Sequence, residues 1–162
     1  MPENLNTFIS RTDFQSSAEY NHCKTLLTEL VQACTCEEST LWLLSQDSDS
    51  LMGTVNIGKT PDILENIDVL IKDSVIGMVA LTATASCISA DDEYDRSVDQ
   101  ASKTDTRAMA ATPVYLDGEV CGVLSALNPI DRETFNQDDL GILQWKSYLL
   151  GLILKSFVDY NQ

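Results

Sequence analysis

A single dipeptide constrains the fold of this chain more than any other feature. Asp117-Gly118 separates two apolar runs at about 107–116 and 119–128. A two-residue hairpin turn of type I′ needs positive φ at both central residues, and Asp-Gly tolerates that conformation well. The pattern therefore predicts two antiparallel strands joined by a tight turn. Pro113 lacks an N–H group, so we expect it at a sheet edge or a bulge.

A long helix is predicted after this hairpin and a polar link. Asn136 is a suitable N-cap, and the acidic residues that follow it favour the positive end of a helix. Phe135 and Leu140 are spaced to pack on each other as a hydrophobic staple. The helix is predicted to end near Tyr160.

The rest of the chain alternates between predicted helices and strands. Ser16-Ser17-Ala18-Glu19 predicts a capping box, at the start of a helix that ends near Ala33. Further elements are strands at 39–46 and 51–57, a short helix from Thr60-Pro61-Asp62, a strand near 69–71, a helix at 75–81 capped by Asp73 or Ser74, and a strand at 87–90. Residues 91–105 are polar and acidic and are predicted to form a long loop.

This order of elements predicts an α+β fold, an α/β sandwich with an antiparallel sheet of five to six strands and helices packed on it. Residues 16–160 are predicted to form one domain, and residues 1–15 a flexible N-terminal extension.

The charge of the chain excludes two classes of partner. Ten Lys and Arg residues stand against 25 Asp and Glu, a net charge of −15. Such a surface repels phosphate backbones and anionic headgroups, so we expect neither nucleic acid nor a membrane as partner. The most apolar segment, 140–158, contains Gln144, Lys146 and Lys155, and the first residues lack a signal peptide pattern. A cytoplasmic location is expected.

The five cysteines predict neither a disulfide framework nor a metal site. Their number is odd, and the Cys34-x-Cys36 spacing is too tight for the usual zinc ligands. His22 is the sole histidine, so neither a metal cluster nor a Ser-His-Asp set is expected. We predict buried, unreactive thiols, no catalytic residues and no enzymatic activity.

The hairpin and its surroundings resemble the GAF domain family, a small module of sensory and regulatory proteins. The resemblance runs from about Tyr20 to Val158. Its matching residues are the Gly77 region before the helix VIGMVALT, the strand CIS with the acidic DDEYD, Arg107, Pro113-Val114, Gly118, Gly122, and Asn128 followed by Phe135 and Asp139. It implies a GAF/PAS-like sheet with the terminal helices on one face and a pocket covered by a loop and a helix on the other.

The resemblance also implies where a ligand would bind. The corresponding elements here are the 74–81 helix, the 87–90 strand, the 91–105 loop and the start of the hairpin. Helix amides at Ser74 and Val75 can donate to an anionic group, and arginine suits carboxylate or phosphate. The predicted ligand-binding residues are Ser74, Val75, Ile76, Met78, Ile88, Tyr94, Arg96, Arg107 and Thr112.

The ligand is predicted to be a small molecule of unidentified chemistry, with an anion as one option and no cofactor assigned. Arg107 can equally pair with one of the acidic residues Asp95, Asp99 and Asp105. Trp42 is expected in the core. Cyclic-nucleotide receptors of the family carry lysine after the asparagine, whereas this chain has Pro129 there. That lysine's salt bridge is therefore missing, and cyclic nucleotides become a minority option.

The last helix predicts a homodimer. Its apolar residues cover more of the circumference than packing on one sheet requires, and a second copy of the chain can cover the surplus. The first helix is the alternative cover. We expect a sensor that signals through dimerising terminal helices to a separate effector protein. The alternatives are a docking module without a ligand, and a thiol-based redox sensor or free methionine sulfoxide reductase-like enzyme. Neither Cys87 nor Cys121 has a basic neighbour in the sequence to activate it.

Overall fold

An antiparallel sheet of six strands forms the centre of the molecule. The computed structural model describes residues 8–89 and 105–161. The strand order is β3-β2-β1-β6-β5-β4. The strands are β1 Cys36–Leu44, β2 Ser50–Ile57, β3 Asp68–Leu70, β4 Ser86–Ser89, β5 Ala108–Leu116 and β6 Glu119–Pro129. The helices are α1 Arg11–Gln15, α2 Ala18–Cys34, α3 Pro61–Leu64, α4 Val75–Thr82 and α5 Gln137–Tyr160. The predicted α+β class is confirmed.

The hairpin between β5 and β6 has the predicted turn. Asp117 has φ 52° and Gly118 has φ 83°, so both central residues adopt positive φ. Pro113 pairs with Val123 of β6. The pairing of β5 with β4 ends at Ala111, so Pro113 lies beyond the end of β4. The missing N–H of this proline therefore costs no ladder hydrogen bond on that side, as predicted.

Helices α2 and α5 pack on one face of the sheet, which we call the terminal-helix face. Leu27 and Leu30 of α2 and Leu150 of α5 are fully buried there. Helix α5 approaches β5 closely, because a Cβ atom on Gly151 would lie 2.5 Å from the Tyr115 carbonyl oxygen. This approach depends on the absence of a side chain at position 151.

The N-terminal boundary of the domain differs from the prediction. Residues 11–15 were assigned to a flexible extension, yet they form α1, with Ser10 as its N-cap. Phe14 is fully buried, and its ring meets Phe157 of α5 edge to face at 5.1 Å. A buried aromatic side chain stabilises the fold strongly. The folded domain therefore includes α1.

Two other boundaries are corrected by the structure. Ser17 rather than Ser16 caps α2, because Ser17 Oγ accepts a hydrogen bond from the Tyr20 amide and Ser16 ends α1. Strand β1 begins at Cys36, three residues before the predicted start. Glu38, near this start, is buried. Residues 91–104 of the predicted long loop lie outside the described residues.

The start of α5 contains an ion pair that the sequence analysis did not predict. Asn136 and Asp139 form a reciprocal capping box, as the N-cap prediction requires. The buried Asp139 carboxylate also pairs with the Arg132 guanidinium, which donates at 2.6 Å to the Cys34 carbonyl oxygen. Arg132 therefore contacts both groups. It ties the start of α5 to the end of α2.

The opposite face of the sheet, which we call the α4 face, is covered by α3, a 3₁₀ turn at Ile71–Asp73 and α4. A Cβ atom on Gly77 would lie 1.9 Å from the Ile71 carbonyl oxygen, so α4 contacts this turn backbone to backbone. The buried apolar residues of this face are Trp42, Leu51, Leu64, Val69, Ile71, Ile76, Val79, Ala111 and Val123.

Candidate functional site

The predicted ligand-binding residues of α4 have different environments. The Ser74 hydroxyl is occupied, because it accepts from the Gly77 amide at 3.0 Å and donates to the Leu70 carbonyl oxygen at 2.9 Å. Ile76 points into the apolar cluster, Val75 is half-buried and Met78 is exposed. The N-terminal turn of α4 is therefore largely committed to holding α4 on the sheet.

The two predicted strand residues lie on opposite faces. Ile88 of β4 is directly opposite Met109, which packs against the α4-face cluster, so Ile88 shares that face. Thr112 lies between Ala110 and Val114 in the alternation of β5, and both of those belong to the terminal-helix face. The structure therefore brings Ile88 to the α4 side and Thr112 to the other side. Tyr94 and Arg96 lie outside the described residues.

Arg107 is directed towards the edge of the sheet formed by the ends of β1 and β6. Its guanidinium donates to the Pro129 carbonyl oxygen at 3.0 Å and to Glu37 at 3.4 Å. The acidic partner is thus Glu37; of the three expected acids, Asp95 and Asp99 lie outside the described residues. Both side chains of the pair are about two-fifths exposed, 42% and 40%, so the pair contributes little to stability.

Asn128 organises the same edge. Its Oδ1 accepts from the Arg107 amide at 2.6 Å and from the Ala108 amide at 3.2 Å. Its Nδ2 donates to the Asp105 carbonyl oxygen at 2.9 Å and to Glu37 at 3.2 Å. One buried side chain therefore fixes where the chain enters β5 relative to β6 and β1.

The α4 face also carries buried polar side chains that the sequence reasoning missed. Glu38 and Thr40 of β1, Asn56 of β2 and Ser125 of β6 are 5%, 2%, 1% and 3% exposed; we call these four residues the polar floor. Thr40 is directly opposite both Asn56 and Ser125. Trp42, two residues further along β1, belongs to the α4-face cluster, so strand alternation places all four on that face.

The hydrogen bonds of the polar floor join three adjacent strands. Asn56 Nδ2 donates to Glu38 Oε2 at 2.9 Å and to Thr40 Oγ1 at 2.7 Å. Trp42 is a core residue, as predicted, and its Nε1 donates to Ser125 Oγ at 3.1 Å. Asn56 Oδ1 is buried and has no hydrogen-bond donor within the described residues. Native structures pair nearly all such atoms, so this oxygen requires an explanation.

The chain packs closely beside this oxygen. Gly58 follows β2 and is exposed. A Cβ atom on Gly58 would lie 3.3 Å from Asn56 Oδ1 and 2.8 Å from Glu38 Cγ. A side chain at position 58 would therefore collide with Glu38 at the edge of the polar floor.

Beyond the end of β3, Glu65 provides a hydrogen-bond acceptor for the edge of β2. Its Oε2 accepts from the Asn56 amide at 2.9 Å, and its Oε1 accepts from the Tyr20 hydroxyl at 2.7 Å. Burial, and then the hydrogen bond to Glu65, raise the pKa of Tyr20, so its phenol remains a donor. These contacts connect α2 to the polar floor across the sheet edge.

A signal for the polar floor is present in the sequence, but it is weak. The alternation of Glu38 and Thr40 in β1 is typical of a strand with one solvated face. Asn56 and Ser125 lie far away in sequence and join them only through the strand register. Without that register, the four residues give no sign of being neighbours.

The thiols are mostly buried and protonated. Cys23, Cys34 and Cys36 are buried, Cys121 is partly buried, and Cys87 is exposed, which corrects the prediction for Cys87. Burial raises the pKa of Cys23, Cys34 and Cys121 to about 12 and that of Cys36 to about 11. Burial raises the pKa of Cys87 as well. A nucleophilic thiol needs the opposite shift.

Helix α5 carries a row of exposed apolar side chains. Trp145, Tyr148 and Leu152 are 58%, 59% and 52% exposed, and the rings of Trp145 and Tyr148 stack at 5.7 Å. Beside them runs a groove of about 500 Å³ between α5, β5 and residues 83–85. Tyr115 of β5 lines this groove with Tyr148 and Leu152. We call the three exposed α5 residues Trp145, Tyr148 and Leu152 the α5 stripe.

Neither a metal site nor a membrane segment is found in residues 8–89 and 105–161. No three His, Cys, Asp or Glu side chains in these ranges are arranged to hold a metal ion. No helix within them is long and apolar enough to cross a membrane.

Comparison with known families gives a clear match. A family model described as GAF domain matches residues 22–152. No curated protein matches the chain.

Solved structures with the same fold are numerous and distant in sequence. The GAF domain of a phosphoenolpyruvate-protein phosphotransferase from Coxiella burnetii has a TM-score of 0.76 at 13% identity, covering 90% of this chain and 89% of that one. Residues 122 to 287 of a methyl-accepting chemotaxis protein have a TM-score of 0.75 at 13% identity, covering 94% and 98%. Free methionine-R-sulfoxide reductase from Neisseria meningitidis has a TM-score of 0.71 at 15% identity, covering 90% and 84%.

Proposed function

This chain belongs to the GAF domain family, and we propose that it is a cytoplasmic regulatory module that binds a small molecule against the polar floor and signals as a homodimer through α5. GAF domains are generally sensory or regulatory. The ligand, the dimer and the relay between them are specific to this proposal.

The polar floor is the observation that carries the ligand. Burying polar groups costs free energy unless hydrogen bonds compensate, so a sheet face that serves only as core is expected to be apolar. The terminal-helix face buries Ser39 and Thr112 among its apolar side chains, whereas the α4 face gathers four buried polar side chains on three adjacent strands and leaves Asn56 Oδ1 unsatisfied within the described residues. A ligand with complementary polar groups accounts for both features.

The α5 stripe supports the dimer. A row of exposed apolar side chains on a helix is typical of a protein–protein contact, and aromatic residues are enriched at the centres of such contacts. A second copy placing its own α5 against this row buries both rows in one symmetric interface.

The contact between β5 and α5 offers a route from ligand to dimer. Met109 and Ala111 of β5 belong to the α4-face cluster, while Tyr115 of the same strand touches α5 at Gly151. A ligand that favours one position of β5 would therefore favour one position of α5. The output is a population shift in the dimer, recognised by a separate effector protein.

Native mass spectrometry of the purified full chain tests both parts. We expect a dimer that carries a bound small molecule. The matched variant Ser125→Ala should lose the molecule and keep the dimer, because it changes the floor and leaves α5 intact. Thermal-shift screening of small anions and nucleotides against wild type and Arg107→Ala adds an independent readout. A ligand-free wild type with flat thermal responses would contradict ligand binding.

The rival function is a docking module without a ligand. The apolar cluster of the α4 face fills much of the space beneath α4, and Met78 and Leu81 on the outer side of α4 are exposed. Under this alternative the polar floor is structural only. A crystal structure that shows the floor satisfied by ordered water alone would favour the docking module.

Catalysis is the least supported function. The reductase from Neisseria meningitidis shares the fold at 15% identity, which carries no statement about chemistry. The raised pKa values of the thiols oppose thiolate attack. A coupled assay with free methionine sulfoxide should show no turnover, and turnover lost in Cys87→Ser or Cys121→Ser would establish the enzyme instead.

A further inference from the structure

We propose that α1 is a latch, a short element that fastens two parts of the domain together and can release both. It holds residues 64–69, which cover part of the α4 face, against β2, and it connects their position to the last turns of α5. The regulatory meaning of this inference rests on the proposed function, because the latch supplies a second connection between the ligand-binding face and the dimer helix.

Strand β2 is irregular where α1 meets it. Strand β1 pairs with Gly53 and then with Val55, so Thr54 is the extra residue of a β-bulge. The pairing of β2 with β3 ends at Met52. The carbonyl groups of Gly53 and Thr54 therefore lie beyond the end of the β3 ladder.

Arg11 of α1 bridges this bulge to the 64–69 segment. Its Nη1 donates to the Gly53 and Ile67 carbonyl oxygens, both at 3.3 Å. The same nitrogen pairs with the Asp68 carboxylate at 2.8 Å. The Arg11 side chain is 21% exposed and that of Asp68 is 54% exposed, so the arginine is directed inwards at the sheet edge.

Gln15 makes the same kind of bridge one helical turn later. Its Nε2 donates to the Thr54 carbonyl oxygen at 3.0 Å and to the Glu65 carbonyl oxygen at 2.9 Å. Residues four apart in a helix lie on the same side, so Gln15 and Arg11 act together. Each of them joins one carbonyl group of β2 to one carbonyl group of the 64–69 segment.

A third side chain of α1 connects it to the terminal-helix face. Phe14 is fully buried, and its ring meets that of Phe157 edge to face at 5.1 Å. The Ser17 hydroxyl at the start of α2 donates to the Phe14 carbonyl oxygen at 2.6 Å. Helix α1 therefore contacts the cover of one sheet face and the end of the main helix on the other.

The 64–69 segment covers the α4 face beside the polar floor. Leu64 and Val69 are buried in the apolar cluster of that face. The Glu65 side chain accepts from the amide of Asn56, a member of the polar floor. A ligand that approached the floor from this edge would displace the segment and break its hydrogen bonds with α1.

Release of the segment and release of α5 are thus coupled. Each hydrogen bond of α1 contributes modestly, so a ligand that shifts residues 64–69 can free the helix. Freeing α1 removes Phe14 from beside Phe157. The population shift then reaches the last turns of α5, away from the contact of this helix with β5 at Gly151.

Native-state hydrogen exchange, followed by NMR on the full chain, tests the latch. Two amides report on its two ends: that of Gly53, which donates to the Ile67 carbonyl oxygen at 2.9 Å, and that of Phe157 in α5. Gln15→Met keeps an unbranched side chain of similar length and removes both donated bonds. We expect it to speed exchange at both amides by about tenfold.

Thr12→Ala is the matched control, because Thr12 lies on the same helix and is exposed. Exchange at Gly53 and Phe157 should then match wild type. Phe157→Leu tests the opposite direction: it leaves the hydrogen bonds of α1 in place, yet the latch requires faster exchange at Gly53. In wild type both amides should be less protected than the Leu124 amide of β6, which separates the latch from global unfolding.

Three results overturn the inference: a Phe157 amide that ignores Gln15→Met, a Gly53 amide that ignores Phe157→Leu, or protection at Gly53 equal to that at Leu124. These measurements require neither ligand nor dimer, so their failure leaves the sensor to be judged by native mass spectrometry. If that experiment finds a bare monomer while the exchange results hold, the coupling through α1 stands and its regulatory meaning falls with the proposed function.

Discussion

The two faces of the sheet are built on different principles. The terminal-helix face joins α1, α2 and α5 in one apolar cluster that includes Phe14, Leu27, Leu150 and Phe157. The α4 face combines a smaller apolar cluster with the polar floor. Burial of apolar side chains stabilises a fold without any specific partner, whereas buried polar groups stabilise it only when each has a hydrogen-bond partner. We therefore expect the first face to carry most of the stability, and we propose recognition for the second.

The largest expected effect is a cavity in the terminal-helix face. Leu150→Ala removes a fully buried side chain of α5 and should lower the free energy of unfolding by about 2–5 kcal/mol. Leu64→Ala in α3, also buried, is the counterpart on the α4 face and should cost less, because its cluster is smaller. Urea denaturation measures both. A larger loss for Leu64→Ala would invert the assignment of stability.

The next largest effect is expected when a side chain is inserted between α5 and β5. Gly151→Ala places a methyl group 2.5 Å from the Tyr115 carbonyl oxygen and should destabilise the fold by roughly 1–3 kcal/mol. Gly141→Ala in the same helix meets nothing and should stabilise by about 0.5–1 kcal/mol. Thermal melts of the pair decide this. Equal melting temperatures would show that α5 tolerates displacement from β5.

A smaller loss is expected when one hydrogen bond of the polar floor is broken. Ser125→Ala leaves the buried Trp42 N–H without its acceptor and should cost about 1 kcal/mol or slightly more. Adding Trp42→Phe removes the orphaned donor, so the double variant should lose less than the sum of the two single variants. Strict additivity would indicate that this bond contributes nothing to the α4 face.

Charge on the α5 stripe should alter assembly without altering stability. Leu152 is 52% exposed, so Leu152→Lys should leave the unfolding of the monomer nearly unchanged while abolishing the dimer. Leu81→Lys on α4, where the leucine is 65% exposed, should keep the dimer. Sedimentation analysis reports the mass of each. Loss of the dimer in both variants, or in neither, would move the interface elsewhere.

The smallest expected effect concerns how fast the cysteines of the native chain react with a thiol reagent. At pH 8 a thiol with a pKa near 12 is almost fully protonated, so Cys23, Cys34 and Cys121 should resist a thiol reagent. The exposed Cys87 should react first, giving one fast equivalent per native chain. The denatured chain should give five. Several fast equivalents in the native state would reveal opening of the terminal-helix face.

Local chemistry made much of the fold predictable. The Asp117-Gly118 turn and the Asn136 cap act within a few residues, so their signals are complete in the sequence. The position of Thr112 on the terminal-helix face and the early start of β1 depend on register and long-range pairing. A local pattern contains neither.

The candidate site was less accessible to prediction for the same reason. The predicted residues came from the 74–81 helix, the 87–90 strand, the 91–105 loop and the start of the hairpin, whereas the polar floor draws on β1, β2 and β6. Asn56 resembles an ordinary strand residue until its amide is seen between Glu38 and Thr40. The Arg132 pair with Asp139 was missed because it depends on how the link before α5 folds, and a local pattern does not contain that.

The bare backbone at position 151 has a mechanical consequence. The main chain of α5 at Gly151 contacts the Tyr115 carbonyl oxygen of β5 directly. Rotation of α5 about its axis, or translation along β5, would therefore disturb this contact. The Ser147 hydroxyl, bonded at 2.6 Å to the Pro113 carbonyl oxygen one turn earlier, provides a second point of attachment. Strand β5 and helix α5 are therefore coupled at two backbone positions one helical turn apart, so a displacement of the strand is passed on to the helix as a whole.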